Sequence, residues 1–229
     1  MKLLTHRVDG WTQEMLLNLE PFVSQSVRWP KSGRVILAQS DSESVVVYQA
    51  YRPYAGHFAA KHGYFGDGFR MSRMTWIKPN FLWMMYRSGW GTKEGQQVTL
   101  AIRLAREAFD EILKKAVHSS YNERVYSSHD DWKKAVADSD VRLQWDPDHD
   151  PSGAPLDRRA IQLGLRRPTV EKYARDWILS IEDISEFVEH QRQVVAAGKL
   201  EQLVIPSETI YVVTDAAVSA KLELDHGQS

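Results

Sequence analysis

The residues from Met74 to Lys93, MTWIKPNFLWMMYRSGWGTK, combine large rings with fixed cations more densely than any other stretch of the chain. Trp76, Phe81, Trp83, Tyr86 and Trp90 supply flat aromatic surface, and Lys78, Arg87 and Lys93 supply positive charge. Such a mixture suits a cleft that stacks a ring and neutralises phosphate. A buried helix whose cations snorkel at its rim accounts for the same residues. Just upstream, the run VVVYQAY places Tyr48, Gln49 and Tyr51 at the end of a β-branched stretch. Alternation along a strand sends Tyr48 and Gln49 to opposite faces. The strand end is thus either a pocket wall or an edge carrying ordinary aromatics.

The other polar clusters carry less chemistry. GYFGDG is glycine-rich but follows a helix and lacks the Lys-Ser/Thr of a phosphate loop. DPDHD at 146–150 offers hard oxygen ligands, yet its spacing is not that of a calcium loop, and it reads as a solvated turn with no metal. His57 and His62 are five residues apart and do not share a helix face. No Walker, GxSxG or HExxH motif occurs, and no nucleophilic triad follows from spacing.

The elements that must position these residues can be read from periodicity. Residues 34–40 (RVILAQS) and 44–51 (SVVVYQAY) read as a hairpin across a polar turn. YAGHFAAKH is a short helix closed by Gly63, and MTWIK is a strand. Pro79 then opens a helix over NFLWMMYRS that ends at Gly89. QVTLAIRL reads as a strand, AREAFDEILKKAVHS as a helix, and HDDWKKAVAD as a helix capped by Asp130 or Asp131. VRLQW (141–145) and AIQLGL (160–165) are strands joined by the loop DPDHDPSGAPLD. PTVEKYARDWILSI and SEFVEHQRQVVAAG read as helices, and LEQLVIP and ETIYVV as closing strands.

Strands and helices alternate without a βαβ rhythm. The fold class is therefore α+β: two small mixed or antiparallel sheets with a cleft between them, flanked by helices. One domain spans 31–215, preceded by a helical appendage at 1–30 and followed by a tail at 216–229.

Bulk properties narrow the class further. With 229 residues, 43% hydrophobic and 26% charged, the chain can bury one full core. A net charge of −1 argues against a general electrostatic grip on nucleic acid, although a local basic groove is compatible with it. The absence of cysteine excludes disulfides, thiolate metal sites and a cysteine nucleophile. No apolar run reaches membrane-spanning length and the N-terminus lacks a signal-peptide core, so a cytoplasmic location is expected, with no membrane partner.

Taken in order, RVILAQ, VYQAY, RMTWIKPNFLWMMYRSGWGTK, VRLQWDPDHD, RAIQLGL and LVIPSETIY resemble domain of unknown function 4291 (DUF4291). The resemblance covers residues 34–213 and carries no activity with it. A second resemblance is to the catalytic core of ADP-ribosyltransferases. In that fold a first strand ends in a polar signature and a glycine-closed helix follows. A second strand and helix then bring a ring over nicotinamide, and a late strand supplies an acid.

On that likeness Gln49 takes the signature position, Trp76 or Tyr86 the ring, and LVIPSETIY the late run. The signature His is absent, and Gln202 rather than Glu precedes the LVIP run, so the acid would be Glu201 or Glu208, with Glu208 preferred. The implied activity is NAD-dependent ADP-ribosyl transfer to an acceptor of open identity, whether protein, nucleic acid or small molecule. Cleaving the nicotinamide–ribose bond needs ring stacking, diphosphate neutralisation and a carboxylate at the ribose. Gln49 and Glu208 are the expected catalytic residues. Arg34, Tyr48, Tyr51, Trp76, Lys78, Tyr86 and Arg87 are the expected NAD contacts. The rival reading is a non-catalytic module for nucleotides or single-stranded nucleic acid, using the same rings and cations.

Overall fold

A computed structural model describes residues 17–225. In chain order the strands are β1 (Leu19–Pro21), β2 (Gly33–Arg34), β3 (Leu37–Ala38), β4 (Ser44–Tyr51), β5 (Thr75–Ile77), β6 (Val98–Ala105), β7 (Ala116–His118), β8 (Val141–His149), β9 (Pro155–Leu165), β10 (Ile178–Asp183), β11 (Val204–Pro206) and β12 (Thr209–Ile210). The helices are α1 (Phe22–Ser26), α2 (Pro53–His62), α3 (Phe81–Ser88), α4 (Arg106–Lys115), α5 (His129–Asp138), α6 (Thr169–Arg175), α7 (Ser185–Ala196) and α8 (Ala216–Leu222).

The class is α+β. One sheet has the order β10-β6-β4, all antiparallel. The larger sheet contains β2, β9, β8 and β7, with β5 also paired to β9. Its β2–β9 and β7–β8 pairs are parallel, and the rest are antiparallel. An isolated bridge between Tyr48 and Lys78, with Tyr48 N–H donating to Lys78 O at 2.7 Å, links the two sheets. Together they curl into a half-barrel.

The expected cleft between two sheets is therefore filled. Val45, Val47, Leu100, Ile102 and Leu104 from one sheet meet Val141, Leu143, Ile161, Leu163 and Leu165 from the other in one buried cluster. A second cluster lies outside β4 and β6, where Val46, Tyr48 and Ala101 are covered by Phe81, Met84 and Met85 of α3 and by Phe187 and Val188 of α7. Alternate residues of β4 thus serve two cores, which is why its run is apolar nearly throughout.

Several elements depart from the sequence reading. The 34–40 run breaks into β2 and β3, which pair with β9 and β12. Toward β4 it keeps only the Ser40–Val45 bridge and a Val46 N–H to Gln39 O bond. The helix over residues 105–119 ends at Lys115, where Ala116–His118 leave as β7 beside β8. The helix over 168–181 is α6 followed by β10. Pairing β7 with Val141–Leu143 and β10 with Leu100–Leu104 overrides local helical periodicity. Residues 146–149 and 155–157, expected in a loop, extend β8 and β9.

Ser128, not Asp130 or Asp131, caps α5. The 216–229 tail contains α8, whose Val218 and Leu222 enter the first core. The helical appendage expected at 1–30 lies outside the described residues up to position 16, and its described part forms β1 and the short α1. No helix among the described residues is long and apolar enough to cross a membrane.

Candidate functional site

The strand end at β4 divides the predicted residues between two faces. On the inner side Gln49 is saturated. Its Nε2 donates to Thr75 Oγ1 at 2.7 Å and to Trp76 O at 3.1 Å, and its Oε1 accepts from Tyr173 Oη at 2.5 Å. Tyr51 shares a 3.2 Å hydrogen bond with Thr75 and packs on Phe65, ring centroids 5.3 Å apart. Burial raises the pKa of both the Tyr51 and Tyr173 hydroxyls. Tyr48, one step away, points outward and sits edge-on to Phe81 at 5.5 Å, sealed under α3.

The outer face of the large sheet is different. Trp76 and Lys78, two residues apart, lie on that face beside alternate residues of β9 and β8. The registers set Trp76 opposite Gly164, Gly164 opposite Arg142, and Gln162 opposite Gln144. Carried one step beyond Ile77–Leu163, the register brings Lys78 to Gln162. The Trp76 indole lies against Gly164. A Cβ on residue 164 would fall 2.7 Å from Met74 Sδ and 3.0 Å from two carbons of the indole, so any larger residue there would force Met74 and the ring to shift. Asp146 completes the row, its two oxygens accepting from Gln144 Nε2 at 2.8 Å and Gln162 Nε2 at 2.7 Å.

Lys78 is the anomaly of this row. Its residue is 6% exposed, and among the described residues no hydrogen bond or ion pair reaches its ammonium. Burial lowers its pKa to about 8, with Arg87 pushing the same way and Asp146 opposing. Buried cations are ordinarily paired or hydrogen-bonded, so an unpaired one is a candidate contact for a negative ligand.

Helix α3 forms the flank of this region. Asn80 caps it by accepting from Trp83 N–H at 2.7 Å, and Gly89 ends it at φ 59°, a left-handed conformation suited to glycine. Trp83, Tyr86 and His149 make a continuous stack, with the Tyr86 and His149 centroids 3.5 Å apart. The stack fixes the exposed edge of the helix that carries Arg87. Burial lowers the pKa of His149, and its Nδ1 finds no partner among the described residues.

Glu208 closes the first turn of α3. Its Oε1 accepts from Phe81 N–H at 2.6 Å and its Oε2 from Asn80 Nδ2 at 2.9 Å. Its own N–H donates to Gln25 Oε1 and its carbonyl accepts from Trp29 Nε1. The residue is 1% exposed. Burial pushes its carboxyl above the usual range, while the Phe81 N–H and nearby Arg158 pull it down. Glu201 and Gln202, the alternative acid positions, are exposed on a single 3₁₀ turn.

Arg34 lies elsewhere. Its Nη1 pairs with Glu223 at 2.7 Å, and its backbone N–H donates to Asp225. The structure thus brings Trp76 and Lys78 together on one face, with Arg87 near enough to act on Lys78. It separates them from Gln49 and Tyr51 inside, from Glu208 under α3, and from Arg34.

Sequence reasoning missed Gln144, Asp146 and Gln162. The signal was the alternation of Arg142, Gln144 and Asp146 with Val141, Leu143 and Trp145, and of Gln162 and Gly164 with Ile161, Leu163 and Leu165. Reading 146–157 as a loop cut that pattern short.

No curated protein gave a match to the chain. A family model does match, over residues 35–211, a span that contains β4, β5, α3, β8, β9 and Glu208. The chain belongs to the family described as domain of unknown function (DUF4291).

Proposed function

We propose that the outer face of β5, β9 and β8 binds a nucleotide, with NAD the first dinucleotide to test. The observation that carries this reading is the unpaired ammonium at the tip of the largely buried Lys78, set two residues from the Trp76 indole and influenced by Arg87. A base or nicotinamide ring stacks on an indole, and a diphosphate bridges Lys78 and Arg87. Gln144 and Gln162, held by Asp146, offer amide groups for a ribose or base edge.

The non-catalytic form of this reading stands ahead of ADP-ribosyl transfer. Transfer needs a carboxylate at the ribose, and Glu208 is committed to the first turn of α3. Gln49 is likewise committed to Thr75 and Tyr173. Asp146 is the carboxylate that shares a face with Trp76 and Lys78, and it is the residue through which transfer would have to run.

Calorimetric titration with NAD, AMP and a single-stranded oligonucleotide tests the reading. Binding of NAD or AMP that is lost in Lys78→Met supports it, since a charge-assisted contact contributes about 1.5–3 kcal/mol. Release of nicotinamide from NAD, abolished in Asp146→Asn with binding retained, would move the reading to catalysis. No binding of any of the three at millimolar concentration overturns it.

A further inference from the structure

A cavity of about 510 Å³ opens where β7 ends and the 119–124 segment leaves the edge of β8. It is lined by Arg34, His118, Arg124, Trp145 and Glu223, among others. Of its lining only Gln144 enters the nucleotide reading, and the rest comes from β2, β7, the 119–124 segment, β8 and the residue that follows α8.

The tautomer of His118 follows from its neighbours. Tyr126 Oη accepts from the His118 backbone N–H at 3.1 Å, which leaves the hydroxyl proton for His118 Nδ1 at 3.3 Å. Nδ1 is then the acceptor, and Nε2 carries the ring proton. That N–H is buried and makes no hydrogen bond among the described residues. Glu223 Oε2 stands at 3.6 Å, beyond hydrogen-bond reach. The Glu223 carboxylate is already engaged by Arg34 at 2.7 Å and by Asn122 Nδ2 at 2.5 Å.

Arg34 spends one nitrogen on Glu223, and among the described residues Arg124 has no side-chain partner. The cavity therefore holds a buried N–H donor that lacks an acceptor and two guanidinium groups with donors to spare. Oxygen acceptors of a ligand complement that set; the other carboxylate in the lining, Glu123, is exposed and makes no ion pair with either guanidinium among the described residues. Two tetrahedral or planar oxygens can span a guanidinium fork while a third reaches the imidazole N–H. The Trp145 and Tyr121 rings in the wall admit an organic group attached to the oxyanion.

We propose that this cavity is a second ligand site, taking a small phosphomonoester through the His118 Nε2–H, Arg34 and Arg124. Burial lowers the pKa of His118, with Arg34 and Lys221 pushing the same way and Glu223 opposing. At neutral pH the imidazole therefore binds as a neutral donor and the guanidinium groups carry the charge.

The test uses the full chain and two probes, inorganic phosphate and phenyl phosphate, at constant ionic strength. Imidazole resonances are followed by proton–nitrogen NMR, and the same titrations are run on Arg124→Ala and Lys78→Met. Arg124 is exposed, so its removal leaves the fold intact. A saturable shift of the His118 ring is expected, with affinity about ten-fold weaker in Arg124→Ala, the equivalent of about 1.4 kcal/mol. The shift should be unchanged in Lys78→Met, which separates this site from the nucleotide face. Absence of a saturable His118 shift, or a shift indifferent to Arg124→Ala, overturns the proposal.

Discussion

The two faces of β5 hold similar residues and treat them in opposite ways. On the inner face Thr75 joins Gln49, Tyr51 and Tyr173 in a network where the amide is used on both its nitrogen and its oxygen. On the outer face Trp76 and Lys78 share a row with Gln162, Gln144 and Asp146, and the ammonium at its end has no partner among the described residues. A buried polar group is costly unless bonded, so the inner network stabilises the fold, whereas the unpaired Lys78 costs stability. Both faces carry rings and polar side chains. What separates core from site is whether the hydrogen-bonding capacity is already spent.

The largest expected effect comes from removing the wall beside the outer row. Trp83 is 4% exposed and stacks on Tyr86 at 5.5 Å and on His149 at 5.3 Å. Trp83→Ala should cost about 3–5 kcal/mol, read as a lowered melting temperature. An unchanged melting temperature would mean that α3 is not anchored through this stack.

The next effect tests the comparison directly. The reference pKa of Lys78 is 10.5 and its folded value is about 8, so the native state holds fewer protons than the unfolded chain between those values. The cost of charging the buried amine is fully present below pH 8 and is relieved as pH rises to 10.5, with a size of about 3 kcal/mol. Lys78→Met should therefore be more stable than the parent at pH 7, with the advantage shrinking as pH approaches 10.5. Urea unfolding of both proteins across that range measures it, and a difference that stays flat with pH would refute the buried-cation account.

On the inner face the sign reverses. Tyr173→Phe strands the Gln49 oxygen in an apolar setting and should destabilise by about 1–3 kcal/mol. Affinity for NAD should not change. If nucleotide binding fell in step with stability, the two faces would not be separate and the site would have to include Gln49.

How much of this was legible in the sequence depends on the range of the forces involved. The β4 strand, the body of the helix from Phe81 to Ser88 and its glycine stop were readable, because β-branched enrichment and a left-handed Gly are local signals, but the helix opening was misread: Pro79 lies before the Asn80 cap rather than in the first turn. Lys78 was singled out from its ring-rich neighbourhood. That Gln49 and Glu208 are spent could not be read, because Tyr173 lies 124 positions from Gln49, and Phe81 lies 127 from Glu208. The β7 and β10 strands were hidden for the same reason: their sequences fit a helix, and their partners are distant in the chain. Gln144 and Gln162 were readable in principle from alternation. They were lost because Pro147 and the aspartates around it suggested a turn where β8 continues to His149.

The smallest effect on stability is the sharpest on mechanism. Arg87 is exposed on the last turn of α3, and Arg87→Ala should change stability by no more than about 0.5 kcal/mol at pH 7. Two consequences should nevertheless appear together. Affinity for NAD should fall about ten-fold or more if the proposed site is right, because one of the two cations proposed to face the diphosphate is gone. The Lys78 pKa should also rise, because the Arg87 charge is one of the forces holding it down. The pH at which the Lys78→Met advantage begins to shrink should then move upward when that substitution is made in the Arg87→Ala background. Loss of affinity without a shift in the Lys78 titration would place Arg87 on the ligand but away from Lys78. A shift without loss of affinity would place the diphosphate elsewhere and leave the outer row as an unfilled charge in the fold.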